Sequence, residues 1–129
     1  MTQEDKELLL KDLCARLPYG VCVYIRYKEG EPCYGKLTPR DIQWFINSNI
    51  EVIKPYLRPI SSMMEEEKDE FEQIRYNAEA KLFNALSKGG FTLAFHEIDD
   101  WLNAHHFDYR GLIGAGLALE APKEIYNED

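Results

Sequence analysis

The densest gathering of reactive side chains is the run His105-His106-Phe107-Asp108-Tyr109-Arg110, with His96, Asp99 and Asp100 close by in sequence. An imidazole beside a carboxylate and a guanidinium can have its proton affinity tuned toward neutral pH, so His105, His106, Asp108 and Arg110 are the candidates for acid/base catalysis. Neighbours in sequence seldom point at one substrate, however. The plainer account is a local network in which Asp108 and Arg110 fix a turn and the histidines sit near the negative end of a helix. The i, i+4 histidine pair that favours metal binding is absent, since His105 lies nine residues beyond His96, and neither a metal nor another cofactor is expected. No G-x-S-x-G, phosphate-binding loop or dinucleotide fingerprint occurs; Gly111, Gly114 and Gly116 have the wrong spacing.

A second constellation lies in the first half. Val21-Cys-Val-Tyr-Ile-Arg-Tyr27 is rich in β-branched and aromatic residues, a turn follows at 28–32, and Cys33 to Leu37 reads as the return strand of a hairpin. Alternation puts Val21, Val23, Ile25 and Tyr27 on one face and Cys22, Tyr24 and Arg26 on the other. Tyr24 and Arg26, joined by Tyr34, Lys36, Tyr56 and Arg58 from neighbouring segments, would form an aromatic and basic patch. Such a patch suits either a protein partner or the bases of a single-stranded nucleic acid. An ordinary solvated sheet face is the alternative. The acidic run Glu65 to Glu72, interrupted by Lys68, would suit a basic partner, but a solvated helix face explains it as well.

The elements that must hold these residues are legible from caps and periodicity. Thr2 with Asp5 opens a helix over 3–16 that carries Leu8, Leu9 and Leu13, and Pro18 and Gly20 close it. Thr38-Pro39-Arg40-Asp41 opens a short helix over 39–47. Residues 50–57 read as a strand that Pro55 and Pro59 confine to the border of the sheet. Ser61 or Ser62 caps the longest helix, 63–87, whose apolar stripe is Phe71, Ile74, Ala78, Leu82 and Leu86 and whose stop is Gly89-Gly90. A last helix covers 96–104 with Ile98, Trp101 and Leu102 inward, and Phe91 to Phe95 is ambiguous between helix and strand. Leu117 to Leu119 adds a possible short strand, and the chain frays from about residue 122. The fold expected is α+β: a small, mainly antiparallel sheet packed against several helices, one of them long and amphipathic.

With 129 residues the chain has the size of one domain, and no window approaches the length of apolar sequence that a membrane span needs. The start is acidic and polar, unlike a secretory leader, and Cys14, Cys22 and Cys33 form no close pair, so a cytoplasmic, reducing environment is expected. The net charge of −8 is unevenly spread: residues 1–60 carry +1 and residues 61–129 carry −9. That balance disfavours general nucleic-acid binding by the whole surface.

Four phrases carry a resemblance: LLLKDLCARLPYG at 8–20, GKLTPRDIQW at 35–44, IKPYLRP at 53–59 and WLNAHHFDYRGLI at 101–113. The chain resembles an uncharacterised family of short proteins from gut Bacteroidales and their mobile elements. That family has no assigned activity, so the resemblance implies a bacterial cytosolic origin and transfers no functional residue. It departs from the family at Gly114-Ala115, where relatives carry charge. Three functions remain in order of preference: a non-enzymatic protein-interaction or regulatory module, a single-strand nucleic-acid binder using the Tyr/Arg face, and a small enzyme centred on His105 to Arg110.

Overall fold

The computed structural model describes residues 1–87 and 96–126 and has the α+β architecture expected, a five-stranded, mainly antiparallel sheet with four helices. Helix α1 spans Gln3–Arg16 and begins with a capping box: the Asp5 N–H donates to the Thr2 hydroxyl at 3.1 Å, and the Thr2 N–H donates to the Asp5 carboxylate at 3.2 Å. Two of the helix's orphan donors are thereby satisfied. A 3₁₀ turn over Leu17–Tyr19 ends at Gly20, whose φ of +70° lies in the left-handed region that a side chain resists.

Strands β1 (Cys22–Tyr27) and β2 (Cys33–Lys36) form the hairpin, with Cys22 opposite Lys36 and Tyr24 opposite Tyr34. Helix α2 (Pro39–Ile46) starts with the second capping box, Thr38 with Asp41. Strand β3 (Ile50–Pro59) then pairs with β1, Val23 opposite Pro55 and Arg26 opposite Val52.

β3 lies inside the sheet, not at the border where its prolines suggested. The strand changes partner along its length: β1 pairs with it as far as Pro55, β5 (Leu119–Glu120) runs parallel to Tyr56 and Leu57, and β4 (Phe107–Asp108) runs parallel to Arg58 and Pro59. Each proline therefore falls at the end of a pairing, where the missing N–H interrupts no ladder.

Helix α3 runs Glu65–Ser87 and helix α4 His96–Ala104. The expected serine cap of α3 is replaced. Ser62 donates to the Pro59 carbonyl at 2.6 Å, and the Met64 N–H at the helix start is met by the Glu67 carboxylate at 3.0 Å. The side chains of Leu82, Leu86 and His96, the stop at Gly89-Gly90 and the segment Phe91–Phe95 lie outside the described residues.

The core has two parts. Leu9 and Leu13 of α1 and Phe45 of α2 pack on the inner face of the sheet against Val21, Val23, Ile25, Ile53 and Leu57. Each such side chain contributes about 1.5–3 kcal/mol by leaving water. The second part joins α3 and α4, where Met63, Trp101, Leu102 and Phe107 meet Phe71, Ile74 and Ile98. Between them sits a buried charge cluster. Asp12 and Arg16 are wholly buried; the Asp12 carboxylate accepts from Arg16 Nε and from Arg110 Nη1, both at 2.8 Å, and Arg16 Nη2 donates to the Phe107 carbonyl at 2.7 Å. No helix among the described residues is long and apolar enough to cross a membrane.

Candidate functional site

The outward side chains of the first three strands share one face. Cys22, Tyr24 and Arg26 of β1 stand beside Lys36 and Tyr34 of β2, and Lys54 of β3 lies opposite Tyr24. Helices α1 and α2 pack on the opposite face, through Leu9, Leu13 and Phe45, so this one keeps its solvent access. All four residues of β2 are exposed, Tyr34 by 77%. Tyr24 and Tyr56 are half-buried, and Tyr24, Tyr34 and Cys22 are near enough to Tyr56 to add to the burial that raises its hydroxyl pKa. Arg26 makes one ion pair there, with Glu51 at 3.7 Å, both side chains more than half exposed. A pair of that kind contributes little, so the arginine remains available to a ligand.

At one end this face runs into a cavity of about 510 Å³. Cys22, Lys36 and Arg58 form its sheet side, Tyr19 and Gly20 one rim, and Ala104, His105 and His106 the wall that follows α4. Ile125 and Tyr126 close it from the tail of the chain. The tail, expected to fray from about residue 122, is held here by Tyr126. Its hydroxyl accepts from the Cys22 N–H at 2.8 Å and donates to the Tyr56 carbonyl at 2.6 Å, bridging β1 and β3 just beyond their last direct pair. Burial raises the pKa of that hydroxyl, which keeps its proton for the bridge.

His106 is the most constrained side chain of the wall. Its φ of +63° is left-handed, the conformation in which a glycine or asparagine usually ends a helix, and its N–H donates to the Asn103 carbonyl at 3.1 Å. Nδ1 is buried without a hydrogen-bond partner among the described residues. Burial first, and then the positive charges of Arg16, Arg58 and His105, press its pKa down to about 4, so the ring is neutral at pH 7.

Arg58 lies over the Phe107 ring at 4.2 Å and forks onto Glu67 through contacts of 2.6 and 2.8 Å, with a further hydrogen bond to the His105 carbonyl. The hydrogen bonds from Arg58 hold Glu67 below the usual carboxylate range, against the opposing effect of burial. His105 stands 3.5 Å from the same carboxylate and packs on Trp101 with the rings tilted by 35°.

The four catalytic candidates divide. His105 and His106 line the cavity; Asp108 and Arg110 do not. The Asp108 carboxylate accepts from the N–H groups of Leu112 and Ile113 at 2.9 and 3.0 Å, which fixes the turn after β4, while Arg110 reaches back to Asp12. No acid/base constellation is assembled from them. Of the six binding candidates, Tyr24, Arg26, Tyr34 and Tyr56 belong to the open face, Lys36 to both face and cavity, and Arg58 is turned into its ion pair.

Reading the sequence missed Tyr19, Gly20, Ile125 and Tyr126 as cavity residues and Glu67 as the partner of Arg58. The one available signal was the pair Ile125-Tyr126, set between charged residues of the tail. Among the described residues no group of three or more His, Cys, Asp and Glu is gathered as a metal ion would require. No family model, curated protein or solved structure matches this chain.

Proposed function

We propose that this protein is a non-enzymatic interaction module that engages an extended, acidic protein segment through the outer face of β1, β2 and β3. The supporting observation is the continuous surface of Tyr24, Tyr34 and Tyr56 with Arg26, Lys36 and Lys54 across three paired strands, in a chain whose net charge is −8. Tyrosine supplies large contact area at small entropic cost, and the lysines and arginine select negative charge. Among the described residues β2 ends the sheet, and its outer backbone edge can add main-chain hydrogen bonds to such a segment.

The test is selection of binders from a random peptide display library, repeated with the triple variant Tyr24→Ala/Tyr34→Ala/Lys54→Glu. Enrichment of acidic extended peptides by the wild type and its loss in the variant support the reading. Enrichment that is unchanged in the variant, or none at all, refutes it.

A single-strand nucleic-acid reading draws on one specific observation, the direct cross-strand placement of Tyr24 and Tyr34 with Lys54 adjacent, which suits base stacking beside a phosphate. Oligothymidylate binding that weakens steeply as salt rises would put this reading first.

A further inference from the structure

The cavity beside His106 has a feature that the open face does not share. Among the described residues, Lys36, Arg58, His105 and His106 contribute to its lining and no aspartate or glutamate does, although acids outnumber bases by 23 to 15 along the chain. Two acids stand behind His105: Glu67 is forked by Arg58 and lies 3.5 Å from His105 Nδ1, and Glu70 accepts from Trp101 Nε1 and lies 4.0 Å from His105 Nε2. Lys36 makes no ion pair among the described residues, and its aliphatic stem lies across Gly20, where an added Cβ would come within 3.8 Å of it. Behind the wall, Asp12 is shared by two arginines, Arg16 and Arg110, which leaves that buried cluster with an excess positive charge.

We infer that this cavity is a binding site for a small organic anion, a carboxylate or phosphate monoester whose charged head is held by Lys36 and whose body lies against the stacked rings of His106 and Tyr126. The volume suits a ligand of metabolite size. With Arg58 offset by Glu67, the charge of Lys36 is what draws an anion into this concavity. The left-handed backbone at His106 is a strained conformation for a residue with a side chain, and strain of this kind gathers where a side chain must be held in one place. Burial first, and then the positive charges of Arg16, Arg58 and His105, keep His106 neutral, and an anion would offset those charges. This inference shares Lys36 with the sheet-face reading but not Tyr24 or Tyr34, so Tyr34→Ala separates the two.

The test is a ¹H–¹⁵N NMR titration of the full chain with phenyl phosphate, with benzoate, and with benzyl alcohol as the uncharged control. We expect saturable shifts at Gly20, Cys22, Lys36, His106 and Tyr126 with at least one of the two anions and none with the alcohol. Lys36→Glu should weaken binding about tenfold or more, the effect of a change near 1.4 kcal/mol, and Tyr34→Ala should leave it unchanged. Lys36 is exposed, so its variants keep the fold, and Lys36→Gln checks the result without adding a negative charge. Absence of saturable shifts at these amides with both anions, equal shifts with the alcohol, or binding indifferent to Lys36 would overturn the assignment.

Discussion

The rings of His106 and Tyr126 lie nearly parallel, 3.7 Å between centroids and 12° between planes. The stack brings the tail onto the residue that ends α4, and the Tyr126 hydroxyl carries the contact on into the seam between β1 and β3.

Removing only that hydroxyl should therefore cost stability out of proportion to one atom. We predict that Tyr126→Phe lowers unfolding free energy by about 1–3 kcal/mol, because the Cys22 N–H and Tyr56 carbonyl lose their shared partner. Urea denaturation of the two proteins measures it; a loss below the error of the fit would mean that water replaces the hydroxyl freely.

Asp12 holds two arginines in the interior. Asp12→Ala should destabilise the fold by about 3–5 kcal/mol, the usual effect of leaving buried charge unpaired. If thermal melting instead shows a shift typical of a surface site, solvent reaches Arg16 in the native state.

Acid should weaken the fold in two windows. His106 has a folded pKa of about 4, below its ordinary 6.5, so the unfolded chain takes up the proton first and stability falls as pH drops from about 6.5 to 4. The shift alone corresponds to about 3 kcal/mol, which the partial exposure of the ring reduces to roughly 2. Burial sets it first and the charges of Arg16, Arg58 and His105 add to it, with Tyr126 stacked on the ring. Glu67, also lowered, contributes stability above its unfolded pKa of 4.5 and loses it below that value. In His106→Asn, which tolerates the left-handed backbone, the upper window should disappear and the lower one remain. Equal slopes between pH 6.5 and 5 in both proteins would show that another group titrates there.

At α2, Thr38→Ala should cost about 1 kcal/mol through loss of the cap. Asp41 also accepts from the Tyr27 hydroxyl at 3.1 Å. The double variant Thr38→Ala/Asp41→Ala should therefore lose more than a helix cap accounts for, and chemical denaturation of the two variants distinguishes these cases.

What could be read in the sequence was local. Both capping boxes, the alternation of β1 and the inward positions Ile98, Trp101 and Leu102 follow from neighbours within a turn or a strand. The cavity was not legible, because it is assembled from residues around 20, 36, 58, 105 and 126 that only the folded topology brings together. The same holds for the pairing of Asp12 with Arg110, 98 residues apart, and for Arg58, whose partner Glu67 lies across a turn and a change of element. β3 misled for a related reason: a proline excludes one hydrogen bond, and the sequence does not say which neighbour would have received it.

The bridge at Tyr126 also bears on the order of folding. Its two partners lie 104 and 70 residues earlier in the chain, whereas α1, the hairpin, α2 and β3 meet within the first 59 residues. Contacts of such long separation close large loops and tend to form late. The first half should thus reach its arrangement while the seam still gapes, and the tail then acts as a latch. A φ-value near zero for Tyr126→Phe, with the whole effect appearing in the unfolding rate, is the kinetic signature of that order.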